Sequence, residues 1–123
     1  MASDFIAHVE IPSTNLEKSI DFYSKLFGWE FKPFGNGYFL FNTHKGFTIG
    51  LRKAEKIVRG DCTIFHIKVD DVSNYLSKAT ELGGHISRGK TTIPAMGYYA
   101  LITDLDGNTI GLYQGNLTIK NIL

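Results

Sequence analysis

Apolar and polar residues alternate with two different periods along this chain of 123 residues, and the periods follow one another in the same order twice. Residues 5–11 (FIAHVEI) alternate every second position and are rich in β-formers, which predicts a strand. From Leu16 the period lengthens, and Leu16, Ile20, Tyr23 and Leu26/Phe27 share one helical stripe. Thr14 and Glu17 read as a capping box that opens this helix, and Gly28 as the glycine that closes it. Residues 29–34, 37–42 and 46–52 follow as three short strands, with turns at Gly35-Asn36-Gly37 and from Thr43 to Gly46. The order then repeats. Residues 61–69 predict a strand. Asp70 or Asp71 caps a helix whose apolar face is Val72, Tyr75, Leu76, Ala79 and Leu82, and Gly83-Gly84 end it. Residues 85–88, 97–104 and 108–114 complete the set, with a hairpin turn at Asp106-Gly107.

Both halves, about 5–52 and 61–115, therefore read βαβββ. Thr-Ile-Gly-Leu closes each half, at Thr48 to Leu51 and Thr109 to Leu112. His8-Val9-Glu10-Ile11 opens one and His66-Ile67-Lys68-Val69 the other. The helices superpose at a shift of 56 residues, Leu16 on Val72 and Gly28 on Gly84, and the Thr-Ile-Gly-Leu strands at a shift of 61. A longer loop near Thr91 to Met96 accounts for the difference, and such a loop is placed to act as a pocket lid. A repeat of this kind fixes architecture. It predicts a single α+β domain over 1–123: one curved, mixed eight-stranded sheet, helices on its outer face and a concave inner face suited to a ligand.

Strand parity assigns the faces. Ile49, Leu51, Ile110 and Leu112 belong under the helices with Val9, Ile11, Phe65, Ile67 and Val69. The inner face then carries His8, Glu10, Thr48, Gly50, Arg52, Ile64, His66, Lys68, Thr109, Gly111 and Tyr113. Gly50 and Gly111 leave volume over which a flat ligand fits, gripped by Arg52 and Tyr113 with Lys68 and Tyr98 beside them. His8, Glu10 and His66 are the candidate catalytic groups, since imidazoles exchange protons near neutral pH. Trp29, Phe31, Phe34, Phe39 and Phe41 read as core or interface. Either Phe39 and Phe41, or Tyr38 and Leu40, face the pocket.

Net charge is +1 with no basic stripe, which gives no reason to invoke nucleic acid. No apolar run approaches the ~18 residues of a membrane helix. Cys62 is the single cysteine, so no intrachain disulfide exists, no thiol-catalysis spacing surrounds it, and a cytoplasmic setting is expected.

His8-Val9-Glu10-Ile11-Pro12, the helix from Leu16 to Tyr23, Leu26-Phe27-Gly28-Trp29-Glu30-Phe31, Met96-Gly97-Tyr98-Tyr99-Ala100, Asp104-Leu105-Asp106-Gly107-Asn108 and Gly111-Leu112-Tyr113-Gln114 together resemble the vicinal oxygen chelate superfamily. This is the glyoxalase, bleomycin-resistance and extradiol-dioxygenase group. The likeness is strongest to its branch of predicted enzymes related to lactoylglutathione lyase. In metal-dependent members a divalent cation sits on the concave face, held by residues of four strands. Carried over, the first-strand ligand falls on His8 and the fourth on Gly50. The fifth falls on Ile64 or, if the strand is aligned to the first one, on His66. The eighth falls on Gly111. Gly50 and Gly111 offer no side-chain ligand, so His8 and His66, with Glu10 as a possible third, are all that remain for zinc, nickel, manganese or iron. No cofactor is expected. The resemblance implies a homodimer binding a small organic molecule. It also admits a metal-dependent lyase or isomerase using His8 and His66, or a regulatory module with a vestigial pocket.

Overall fold

Asn15 and Asp71 begin the two helices, 56 residues apart, and each does so with its side-chain oxygen. Asn15 accepts from the Lys18 N–H, and Asp71 from the N–H groups of Ser73 and Asn74. The cap expected at Thr14 therefore lies one residue later. The computed structural model describes residues 6–58 and 64–115, so Cys62 and the beginning of the strand expected over 61–69 lie outside the described residues.

Contacts divide the chain into Met1–Val58 and Arg59–Leu123. The first half holds β1 (His8–Ser13), α1 (Leu16–Phe27), β2 (Lys32–Pro33), β3 (Tyr38–Asn42) and β4 (Thr48–Lys53). The second holds β5 (His66–Lys68), α2 (Val72–Glu81), β6 (His85–Ile93), β7 (Gly97–Thr103) and β8 (Thr109–Gly115). Each half is βαβββ, as the periodicity predicts. Their strands hydrogen-bond as two four-stranded mixed sheets, ordered β1-β4-β3-β2 and β5-β8-β7-β6. In each the first strand runs parallel to the last, and the other pairs are antiparallel.

The helix-facing side of each sheet is the apolar one. Ile49, Leu51, Ile110 and Leu112 are all buried to within 1%. Truncating any of them to alanine costs about 2–5 kcal/mol. The buried face of α1 is Ser19, Phe22, Tyr23 and Leu26. Leu16 and Ile20, expected on that stripe, are only half-buried, and Phe22 takes their place. Ser19 is tolerated there because its hydroxyl meets that of buried Ser13 at 2.5 Å. Trp29 is core: its ring stacks on Phe27, Tyr23 and Phe41 with centroids 4.8, 5.5 and 5.8 Å away. Phe34, grouped with it by sequence, is exposed.

The second half departs from expectation at β6. The stretch read as a long loop from Thr91 to Met96 is strand as far as Ile93, with two register shifts against β7. A tight turn follows, in which the Met96 N–H bonds the Ile93 carbonyl and Ala95 takes a φ of 64°. The segment is therefore a bulged edge strand and not a lid. The β7–β8 turn is held by buried Asp104, which accepts from the N–H groups of Asp106 and Asn108 and from the Asn108 amide.

Candidate ligand-binding site

The register within each half decides which residues correspond. Glu10 lies opposite Gly50, and His66 lies opposite Gly111. His66 therefore stands where Glu10 stands, and Ile64 answers to His8. The shift of 56 residues that relates the helices carries through their first strands. The alignment of His8 with His66, suggested by the motifs that open the two halves, is two residues out of step. Of the four positions that the resemblance assigns to metal ligands, His8 alone bears one.

His8 is also committed elsewhere. Its Nδ1 lies 2.6 Å from Thr48 Oγ1 and its Nε2 2.7 Å from Tyr38 Oη. Tyr38 reaches it from β3 across β4, and Gly50 makes this possible. A Cβ on Gly50 would fall 1.9 Å from the phenol oxygen. The volume expected to receive a flat ligand is filled by the chain's own ring. The Glu10 carboxylate also acts electrostatically on the Tyr38 hydroxyl, and Arg52 Nε donates to Glu10 Oε2 at 2.8 Å.

The hydrogen bond from Arg52 holds the Glu10 carboxyl below the usual carboxylate range against the opposing influence of burial, with Tyr38 adding a smaller lowering effect. Thr48 and Tyr38 between them occupy both nitrogens of the His8 ring, whichever of them carries the proton. Burial, reinforced by Glu10, pushes the Tyr38 phenol above its ordinary value, which keeps it a donor. Neither His8 nitrogen presents a free lone pair. Among the described residues no three His, Cys, Asp or Glu side chains gather to hold a metal ion. The donor set here does not fit a divalent cation. Arg52, expected to grip a ligand, is held by Glu10 instead.

The equivalent face of the second half is built differently. The His66 ring lies over Gly111, where a Cβ would come within 2.3 Å of Cδ2. Among the described residues its ring neighbour is Tyr99, edge-on at 6.3 Å between centroids. Among the described residues neither ring nitrogen of His66 has a hydrogen-bond partner, and Lys68 has no carboxylate. These two, with Ile93, Tyr99 and Tyr113, line an open cavity of about 440 Å³. Its size is that of a pocket for a small organic molecule. Tyr113 is anchored, donating to the Met96 carbonyl at 2.9 Å.

Of the residues expected at the ligand, His66, Lys68 and Tyr113 thus come together, with Gly111 beneath the His66 ring. His8, Glu10, Gly50 and Arg52 form the hydrogen-bonded cluster of the first half. Tyr99, and not Tyr98, lines this cavity. Tyr98 shares the other face of β7 with buried Ala100 and Ile102, and Lys90 sits 4.2 Å above its ring. Tyr38 was expected only as one of two alternatives for the pocket-facing side of its strand. The signal for it is the glycine diagonally across the sheet, which leaves a large side chain room to lie flat.

Residues 5–112 match the Glyoxalase/Bleomycin resistance protein/Dioxygenase superfamily. The chain is 32% identical over 123 residues to the trivalent organoarsenical cleaving enzyme of Bacillus sp. (strain MD1), covering 93% of this chain and 75% of that one. It is 30% identical over 114 residues to a glyoxylase-like domain-containing protein of Didymella fabae, covering 85% and 88%. In three dimensions it is similar to the fosfomycin resistance protein FosX of Listeria monocytogenes, solved with Mn(II) and sulfate. The TM-score is 0.78 at 17% identity, with all of both chains covered, a likeness of fold alone.

Proposed function

The chain belongs to the Glyoxalase/Bleomycin resistance protein/Dioxygenase superfamily, and from that premise we propose that it binds a small organic molecule in the second-half cavity without a full metal site. The observation that carries this reading is the contrast in partners. His66 and Lys68 face a cavity of about 440 Å³ with no partner among the described residues, whereas His8 is hydrogen-bonded at both nitrogens. Convergent polar groups left unpaired beside aromatic walls are what a ligand completes.

The residues give each part of such a site a task. Tyr99, Tyr113 and Ile93 cover the apolar body of a ligand, and the Tyr113–Met96 bond fixes one wall. Lys68 and His66 supply donors to its polar end. The same arrangement could stabilise negative charge developing on a bound substrate.

A second reading, that of an enzyme, is favoured by the organoarsenical-cleaving relative. Trivalent arsenic is a soft centre that prefers thiolates, and this chain has one cysteine. Cleavage of that substrate class is therefore not the reading adopted here.

The test is a thermal-shift screen of small organic molecules, run on protein purified without chelator and again after EDTA. A true ligand at about 100 times its Kd stabilises the fold by roughly 2.7 kcal/mol, and that gain should survive EDTA. Ligand binding that needs a stoichiometric metal, or a broad screen in which no compound binds, overturns the proposal.

A further inference from the structure

Resting on the reading of this cavity as an organic-ligand site, we infer that its ligand carries an oxyanion, a carboxylate or phosphonate, on a flat apolar body. Two of the five lining residues, His66 and Lys68, bear basic groups and none bears an acid. The register places these groups on one side. Lys68 is opposite Tyr113, Tyr113 is opposite Tyr99, and His66 is one rung along, opposite Gly111. Across β5, β8 and β7 the face therefore runs from cation to phenol to phenol over two strand spacings, roughly 10 Å. That width suits one ring with a charged substituent at the β5 end.

The first half shows what this protein does with a cation on the equivalent face when no ligand is intended. Arg52 is answered by Glu10 at 2.8 Å, within the chain itself. Among the described residues the second half supplies no such answer, because the residue at the position of Glu10 is His66, which donates. A ligand that covers Lys68 removes water from its ammonium group, and this is unfavourable unless the ligand brings the compensating charge. An oxyanion accepts from Lys68 Nζ, from an N–H of His66 and from the Tyr99 hydroxyl together, in charge-assisted hydrogen bonds. A neutral amide of the same shape cannot balance the lysine.

The experiment uses the full chain at low salt and three probes of nearly one shape: phenylphosphonate, benzoate and neutral benzamide. Affinities are followed by nuclear magnetic resonance titration. The two anions should bind at least about tenfold more tightly than benzamide. Lys68→Met should remove that advantage, so that the anions bind this variant no more tightly than benzamide does, and Lys68→Arg should keep it. Lys68 is exposed, so these variants fold. Benzamide binding as tightly as the anions, or anion affinity indifferent to Lys68→Met, overturns the oxyanion inference and leaves the organic-ligand reading standing. If none of the probes perturbs the resonances of His66, Lys68 or Tyr99 at millimolar concentration, both fall.

Discussion

Each half of this protein lays a ring of its own over the glycine of a Thr-Ile-Gly-Leu strand, but the two rings come from different places. In the first half Tyr38 crosses from β3 to His8, which also meets Thr48, while Glu10 pairs with Arg52. In the second half His66 folds over Gly111 from the adjoining strand and makes no hydrogen bond with the described residues. One face is chemically satisfied and the other is open. Duplication kept the backbone and the core, while substitutions on the opposite face divided the labour. A glycine at a site position is therefore informative beyond the loss of a ligand: it admits whichever neighbouring ring is long enough to cover it.

The comparison can be broken most forcefully at the glycines themselves. Gly50→Ala must push Tyr38 aside and break its bond to His8, at an expected cost of about 1–3 kcal/mol. Gly111→Ala displaces a ring with no such bonds, and alanine is the better strand residue, so its cost should be ~1 kcal/mol or less. Urea unfolding of the two variants reads the difference directly, and equal losses would erase the distinction between the halves. Tyr38→Phe keeps the ring and removes its bond to His8. It should cost about 1 kcal/mol and free the His8 nitrogen that Tyr38 occupies, visible in the nitrogen shifts of its side chain.

The smallest effect sharpens the electrostatic part. Glu10 and Arg52 are both nearly half exposed, so Glu10→Gln should cost only about 0.2–1 kcal/mol at neutral pH. The sign follows from the depressed carboxyl. Its contribution is present above the unfolded carboxylate value of ~4 and is lost as the pH falls through the lower folded value. Wild type and Glu10→Gln should therefore converge in stability at acid pH. A gap that widens on acidification would contradict the direction assigned to Glu10.

Much of this was legible in the chain. Period-two and period-3.6 patterns located both helices and the buried sides of β4 and β8, because burial is imposed by a repeating geometry. The pattern was blind wherever a decision rested on one residue of register. Thr14 and Asn15 are both good caps, and only the backbone chooses. Tyr98 and Tyr99 are chemically alike, and the pairing of Tyr99 with Tyr113 separates them. His8 and His66 looked equivalent because short motifs match easily, whereas the pairing of His66 with Gly111 makes it the counterpart of Glu10. The choice between Tyr38 with Leu40 and Phe39 with Phe41 stayed open because the Tyr38 contact runs diagonally across two strands, a distance that no spacing in the sequence encodes.

The most direct measurement follows the side-chain nitrogens of His8 and His66 through a single titration with phenylphosphonate. The His66 resonances should move to saturation, while those of His8 stay unmoved throughout. Saturating shifts at His8 with His66 unmoved would place the ligand on the face described here as closed and contradict the division between the halves.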